Sequence, residues 1–76
     1  MLSFRKVIMT VRYSVSLVDL ARKAVVERDP KAAINFAERL TNYSYMEVYR
    51  AAKFYSGFDI DLADWDQLLA EGDVAR

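Results

Sequence analysis

Residues 6–15, KVIMTVRYSV, constrain the fold of this chain more than any other stretch because apolar side chains occupy every second position. Ile8 is the one apolar residue at a polar position. The alternating apolar residues are Val7, Met9, Val11, Tyr13 and Val15. Such an alternation predicts a β-strand. A single strand leaves two rows of backbone hydrogen-bonding groups unpaired, so the choice of its neighbour decides the fold.

Two amphipathic helices are predicted after the strand, because apolar residues then recur on one side at a period of about 3.6 residues. Ser16 is an N-cap residue with Asp19 three positions later, which predicts that the first helix begins there. Asp29 and Pro30 separate the two helices, since proline disfavours helical geometry in the preceding residue and suits the first turn of a new helix.

A third helix is predicted over residues 45–56. Polar residues around Asn42 interrupt the apolar face of the second helix, and Ser44 with Glu47 has the pattern of a capping box. Gly57 suits the C-terminal end of this helix. The sequence thus favours a break near Asn42 over one long helix.

The composition indicates one small folded domain. The chain has 76 residues, 54% of them hydrophobic, with two Gly and one Pro, which is too apolar for disorder and too poor in breakers for an all-β fold. A domain of this size is marginally stable, so help from a partner is plausible. The chain is therefore expected to be mainly α-helical with one N-terminal β-strand.

Several kinds of chemistry have no residues to support them. The chain contains no Cys and no His, which excludes disulfides, thiolate metal sites and imidazole bases. No Gly-rich phosphate loop occurs either. We therefore expect no enzyme activity, no cofactor and no metal. No apolar run reaches the length of a membrane span and the N-terminus is unlike a signal peptide, so a cytoplasmic protein with no membrane contact is expected.

The net charge of zero hides an asymmetry along the chain. Residues 1–53 hold ten Lys and Arg against five Asp and Glu, whereas residues 54–76 hold one against six. The split predicts a core domain over residues 1–57 and an acidic C-terminal extension over residues 58–76. A nucleic-acid or acidic partner is expected for the basic part.

The acidic extension predicts a short amphipathic helix from Leu62 to Glu71, ending before Gly72. Its acidic residues lack the Gly and Glu spacing of a calcium loop, so metal binding is not expected. One interpretation is that acidic residues near the N-terminus of this helix favour its dipole and its solubility. The more specific interpretation is an acidic surface with a tryptophan anchor, which would bind a basic protein or mimic the charge of a nucleic acid. The residues assigned to this protein-binding surface are Asp59, Asp61, Asp64, Trp65, Asp66 and Leu69.

The aromatic residues between Asn42 and Asp59 have two interpretations. They could stack on the bases of a nucleic acid, or they could belong to the core or to a protein interface. The second interpretation is favoured because aromatic residues are common in both. These residues are Tyr43, Tyr45, Tyr49, Phe54, Tyr55 and Phe58.

Two neighbours are available to the N-terminal strand. The first is the same strand of a second molecule, which would form an antiparallel ribbon across a two-fold axis in a homodimer. The second is Phe58–Leu62, which alternates over five residues and would set Asp59 and Asp61 beside Lys6 and Arg12 in a monomer. The residues leave both pairings open.

The stretch TVRYSVSLVDLARKAVVE resembles the Arc-type ribbon-helix-helix repressors. The similar features are an Arg followed by an aromatic residue at the strand end and a Val-Asp-Leu-x-Arg-Lys run on the first helix, within a resemblance over about residues 6–40. The resemblance implies a ribbon-helix-helix-like β-α-α core, here followed by a third helix and a short C-terminal helix. Antitoxins of this fold use a C-terminal extension to wrap a toxin protein.

The resemblance also implies that the ribbon reads the DNA major groove through Lys6, Ile8, Thr10 and Arg12. Arg12 would be the bidentate donor to guanine, and Thr10 would be a short hydrogen-bonding or methyl-contact residue. Lys6 would contact a base or a phosphate, and Ile8 would make an apolar contact to thymine. The expected function is a small dimeric DNA-binding transcriptional regulator, such as a phage or plasmid repressor or an antitoxin. The alternative is a monomeric inhibitor or adaptor without a DNA role, whose acidic surface occupies a basic site on a target protein.

Overall fold

The computed structural model describes residues 16–74, which form four α-helices joined by short connections. The helices are α1 (Leu17–Val26), α2 (Pro30–Arg39), α3 (Tyr45–Ser56) and α4 (Leu62–Val74). Helix α1 packs against α2 and α3, and α2 packs against α4. Within these residues, no helix has the length and apolarity that crossing a membrane requires.

Side chains cap the first two helices where the sequence predicts their starts. The Ser16 hydroxyl accepts a hydrogen bond from the Asp19 backbone N–H at 3.1 Å. The Asp29 carboxylate accepts from the N–H groups of Lys31 at 3.0 Å and Ala32 at 3.4 Å. These bonds satisfy donors that have no partner inside a helix. Both predicted helix starts are confirmed.

Helix α3 has a capping signal at each end. The Ser44 N–H donates to the Glu47 carboxylate at 2.8 Å, and the Ser44 hydroxyl accepts from the Glu47 N–H at 3.2 Å, which is a reciprocal capping box. Gly57 ends the helix in the left-handed region at φ 75°. The predicted break near Asn42 is confirmed, because a turn separates α2 from α3 there.

The core combines small residues with two large aromatic ones. Phe36 and Trp65 are fully buried, and their rings meet edge to face with centroids 6.2 Å apart. Alanines without exposed surface lie around them on α1, α2 and α3 and let these helices approach closely. The other buried apolar residues of this core are Leu20, Val25, Val48, Tyr49, Ile60 and Leu68. Residues 58–74 thus share one core with the first three helices.

The predicted fold class is wrong for the described part of the chain. Residues 16–74 are helices and connections without a strand, so these residues do not form a β-α-α core. The strand predicted at residues 6–15 lies outside the described residues. In Phe58–Leu62, the alternative pairing strand, residues 58–61 form a connection and Leu62 is the first residue of α4. Helix-on-helix packing buries the apolar faces of these helices.

The alternation of apolar residues in Phe58–Leu62 does not correspond to a strand. Ile60 is buried, and its carbonyl accepts a hydrogen bond from the Tyr49 hydroxyl at 2.6 Å. Phe58, in contrast, is 56% exposed. Ile60 is therefore the one buried apolar side chain of this stretch, and its apolar side chains do not share one buried face.

Helix α4 is longer than the sequence predicts. The predicted end before Gly72 is wrong, because the helix continues through this residue to Val74. Gly72 is buried where α4 meets α2. A Cβ atom at this position would overlap the Ile34 side chain and the Pro30 carbonyl group. Close approach to α2, and not a helix stop, explains this glycine.

Replacing Gly72 with alanine tests this packing. In an open helix the change would stabilise by about 1 kcal/mol through helix propensity. Here the overlap with α2 should reverse the sign and lower the free energy of unfolding by about 1–3 kcal/mol, measured by chemical denaturation. Ala70→Gly at an exposed position of α4 serves as the control, because it loses only propensity, about 1 kcal/mol. A more stable Gly72→Ala variant would contradict the packing of α4 on α2.

The capping box of α3 predicts a pH dependence. Hydrogen bonds with Ser44 lower the pKa of the Glu47 carboxyl below its ordinary value of 4.5, and the bond from the Ser44 backbone N–H has the largest effect. The lowered pKa means that this contribution to stability is present above pH 4.5 and is lost as the pH falls through the folded-state pKa. Glu47→Gln should therefore lose less stability than the unchanged protein when acidified. Asp66→Asn, which removes the same charge from an exposed position of α4, controls for the loss of one carboxylate. Identical acid profiles for all three proteins would contradict the role of Glu47.

Candidate functional site

An open apolar groove of about 460 Å³ lies between α3, the first residue of α1 and the turn that follows α2. Helix α3 contributes residues spaced three and four apart, which places them on one stripe of its surface. The Leu17 and Leu40 side chains belong to the other two elements. The full lining consists of Leu17, Leu40, Tyr43, Glu47, Arg50, Ala51, Phe54 and Tyr55.

Phe54 dominates the surface of this groove. It is 80% exposed, although it belongs to the last turn of a regular helix and not to a loop. Tyr43, on the turn at the other end of the groove, is 58% exposed. Burial of such side chains contributes roughly 25 cal/mol per Å² of apolar area, so association with a molecule that covers this surface is favoured.

A row of aromatic contacts connects Phe54 with the core. The Phe54 and Tyr55 rings meet edge to face with centroids 5.4 Å apart. Tyr55 in turn contacts Phe36 at 6.3 Å, and Phe36 contacts Trp65 at 6.2 Å. Edge-to-face pairs of this kind contribute about 0.5–1.5 kcal/mol beyond the burial of their area. Phe54 is thus held at the groove by a ring that itself rests on the core.

Two opposite charges lie on the rim of the groove. Glu47 and Arg50 are three residues apart on α3 and line the same cavity. After the hydrogen bonds from Ser44, the positive charge of Arg50 is a further cause of the lowered pKa of the Glu47 carboxyl. The groove therefore has an apolar floor with one anionic and one cationic group at its edge.

The DNA-reading residues predicted from the sequence lie outside the described residues. Lys6, Ile8, Thr10 and Arg12 all precede Ser16, where the description begins. The described residues 16–74 contain seven Lys and Arg and eleven Asp and Glu, a formal charge of −4. This part of the chain therefore has no excess of positive charge, and DNA reading by the four residues stays a prediction.

The predicted protein-binding surface lacks its aromatic anchor. Trp65 has no exposed area, so its side chain packs in the core and is not available to a partner. Its indole N–H has no hydrogen-bond partner among the residues that the structure describes. Leu69 is half-buried against the core, whereas Asp61 and Asp66 are exposed. Only the acidic part of the predicted surface is at the surface.

Two of the predicted acidic residues have partners within the chain. Asp64 pairs with Arg28 at 3.5 Å, with both side chains about half exposed. Asp59 pairs with Lys53 at 3.3 Å, and the hydrogen bond to this carboxylate raises the pKa of the Lys53 ammonium group. The Lys53 ammonium also lies 4.8 Å from the centroid of the Tyr49 ring. Exposed ion pairs of this kind add little to stability.

No group of three or more acidic residues within residues 16–74 is arranged to hold a metal ion. The predicted aromatic residues divide between the core and the surface. Tyr49 is buried, Tyr55 is half-buried, and Phe54 and Tyr43 are exposed at the groove. The sequence signalled the aromatic residues, but Leu17 and Leu40 were assigned only to helix faces, because a groove formed by three elements has no local pattern.

Comparisons with models of protein families, with curated proteins and with solved structures found no match to this chain.

Proposed function

We propose that this chain is a protein-binding module that contacts another polypeptide through the groove beside Phe54. The observation that carries the proposal is the 80% exposure of Phe54 on a regular helix, next to a 460 Å³ apolar groove. Exposed aromatic residues at preformed concave surfaces are typical of interface centres. Such a module acts by occupying a surface, as an adaptor or an inhibitor does.

The composition of the groove favours a polypeptide over a small molecule as the ligand. Small-molecule pockets enclose most of their ligand and fix it with several convergent polar groups. This groove is open along α3, and its charged groups, Glu47 and Arg50, lie on the rim. An apolar centre with a charged rim is the usual arrangement of a protein interface, and aromatic residues and arginine are enriched there.

The groove differs in position from the acidic surface that the sequence suggested. The acidic residues of α4 surround a buried tryptophan and offer no exposed aromatic anchor, whereas the groove has one. Interface energy is concentrated in such anchors, and charged residues at the rim contribute mainly to association rate and specificity. We therefore assign affinity to the groove. A contribution of the acidic α4 surface to specificity stays a prediction.

Phe54→Ala tests the proposal. Because Phe54 is already exposed, its removal should leave the fold intact, as checked by circular dichroism. Binding to any polypeptide that uses the groove should weaken by about 2 kcal/mol or more, the loss typical of a central aromatic residue. The measurement is quantitative mass spectrometry of proteins retained by the immobilised chain, with a differently tagged second copy included.

Phe58→Ala provides the matched control. It removes the same side chain from an exposed position that does not line the groove. A groove-dependent partner should be lost from the Phe54 variant and kept by the Phe58 variant. If both variants retain the same set of polypeptides as the unchanged protein, the groove is not the binding surface.

A further inference from the structure

We infer that the polypeptide bound by the groove is a second copy of this chain, so that two copies form a symmetric dimer through antiparallel α3 helices. This inference rests on the proposed function, since it names the occupant of the same groove. It follows from two properties of the groove, which are the position of Phe54 relative to the cavity and the order of the charges on its rim.

The first property is that the projecting side chain and the cavity belong to one patch. A two-fold interface uses the same surface on both copies, so that surface must contain both the protrusion and the space that receives it. Phe54 is exposed at one end of the groove lining and Tyr43 at the other, with Ala51 between them as a small residue. Phe54 of each copy can therefore enter the groove of the other.

The second property is the order of the charges along α3. Glu47 and Arg50 carry opposite charges one turn apart on the stripe that faces the groove. Antiparallel pairing about a two-fold axis near residues 48 and 49 sets Glu47 opposite Arg50 of the second copy, and the reverse pair follows by symmetry. The same register brings Phe54 to the N-terminal end of α3 of the second copy, beside the turn that carries Tyr43. One register therefore satisfies both the charges and the aromatic residues.

A different polypeptide would have to supply each of these features separately. It would need to fill the groove, cover Phe54 and carry two charges in the matching order. A second copy brings all of these with it. The pairing also leaves α4 outside the interface, because none of its residues lines the groove. The acidic surfaces of the two copies would remain free in the dimer.

The first test is the oligomeric state in solution, measured by sedimentation equilibrium on the full chain. We expect a monomer–dimer equilibrium at concentrations below about 1 mM. Phe54→Ala should raise the dimer dissociation constant at least about 30-fold, as expected for the loss of a central aromatic contact. Phe58→Ala, outside the groove, should leave the dissociation constant unchanged within about twofold.

The second test exchanges the rim charges. Arg50→Glu gives one chain with two anionic rim residues, and Glu47→Lys gives another with two cationic ones. Each variant alone should dimerise at least about 10-fold more weakly than the unchanged protein, because like charges face each other across the axis. An equimolar mixture should form heterodimers, since every rim charge then meets its opposite. Circular dichroism establishes that both variants are folded, which matters because Glu47 also caps α3.

Three outcomes would overturn the dimer. These are a chain that stays monomeric up to about 1 mM, a dimer unaffected by Phe54→Ala, and a mixture of the charge variants that forms no heterodimer. If the monomeric chain retains a different polypeptide in a Phe54-dependent way, the second copy is refuted while the protein-binding function stands. If neither a second copy nor any other polypeptide depends on Phe54, both proposals fail.

Discussion

The contact between Phe36 and Trp65 joins the C-terminal helix to the rest of the structure. Phe36 has no exposed surface, and it meets the Trp65 ring on one side and the Tyr55 ring on another. It therefore links α2 with both α4 and α3. The buried alanines of α1 and α2 bring these helices close enough for the contact, and Gly72 allows α4 to lie against α2. Removal of this ring would leave a cavity shared by three helices.

The position of the groove follows from the same packing. Tyr55 and Phe54 are consecutive on α3, so the turn of about 100° between them directs one ring towards the core and the other towards solvent. The turn between α2 and α3 brings Leu40 and Tyr43 to the same side. The position of the exposed Phe54 ring is thus set by the core contact of the adjacent Tyr55. This explains how an exposed phenylalanine can have a defined orientation in a domain of this size.

Local signals predicted the helix boundaries well, whereas tertiary arrangement was beyond them. Ser16, Asp29-Pro30 and Ser44 act on backbone groups within three residues, and the structure confirms all three helix starts. The alternation in Phe58–Leu62 was misleading because only Ile60 of its three apolar side chains is buried. Trp65 and Gly72 were misassigned because the sequence around them does not reveal that α2 lies opposite. The groove was not predicted, since its floor comes from three separate elements.

Trp65 is the one tryptophan of the chain, and it is buried beside Phe36 at the contact between α2 and α4. Its fluorescence therefore reports on one seam of the structure, whereas circular dichroism averages over all helices. Coincident unfolding curves from the two signals would mean that the four helices form a single cooperative unit. Separate curves would mean that α4 detaches while α1 and α3 remain folded. The placement of one side chain thus gives this small protein an internal reporter of its own cooperativity.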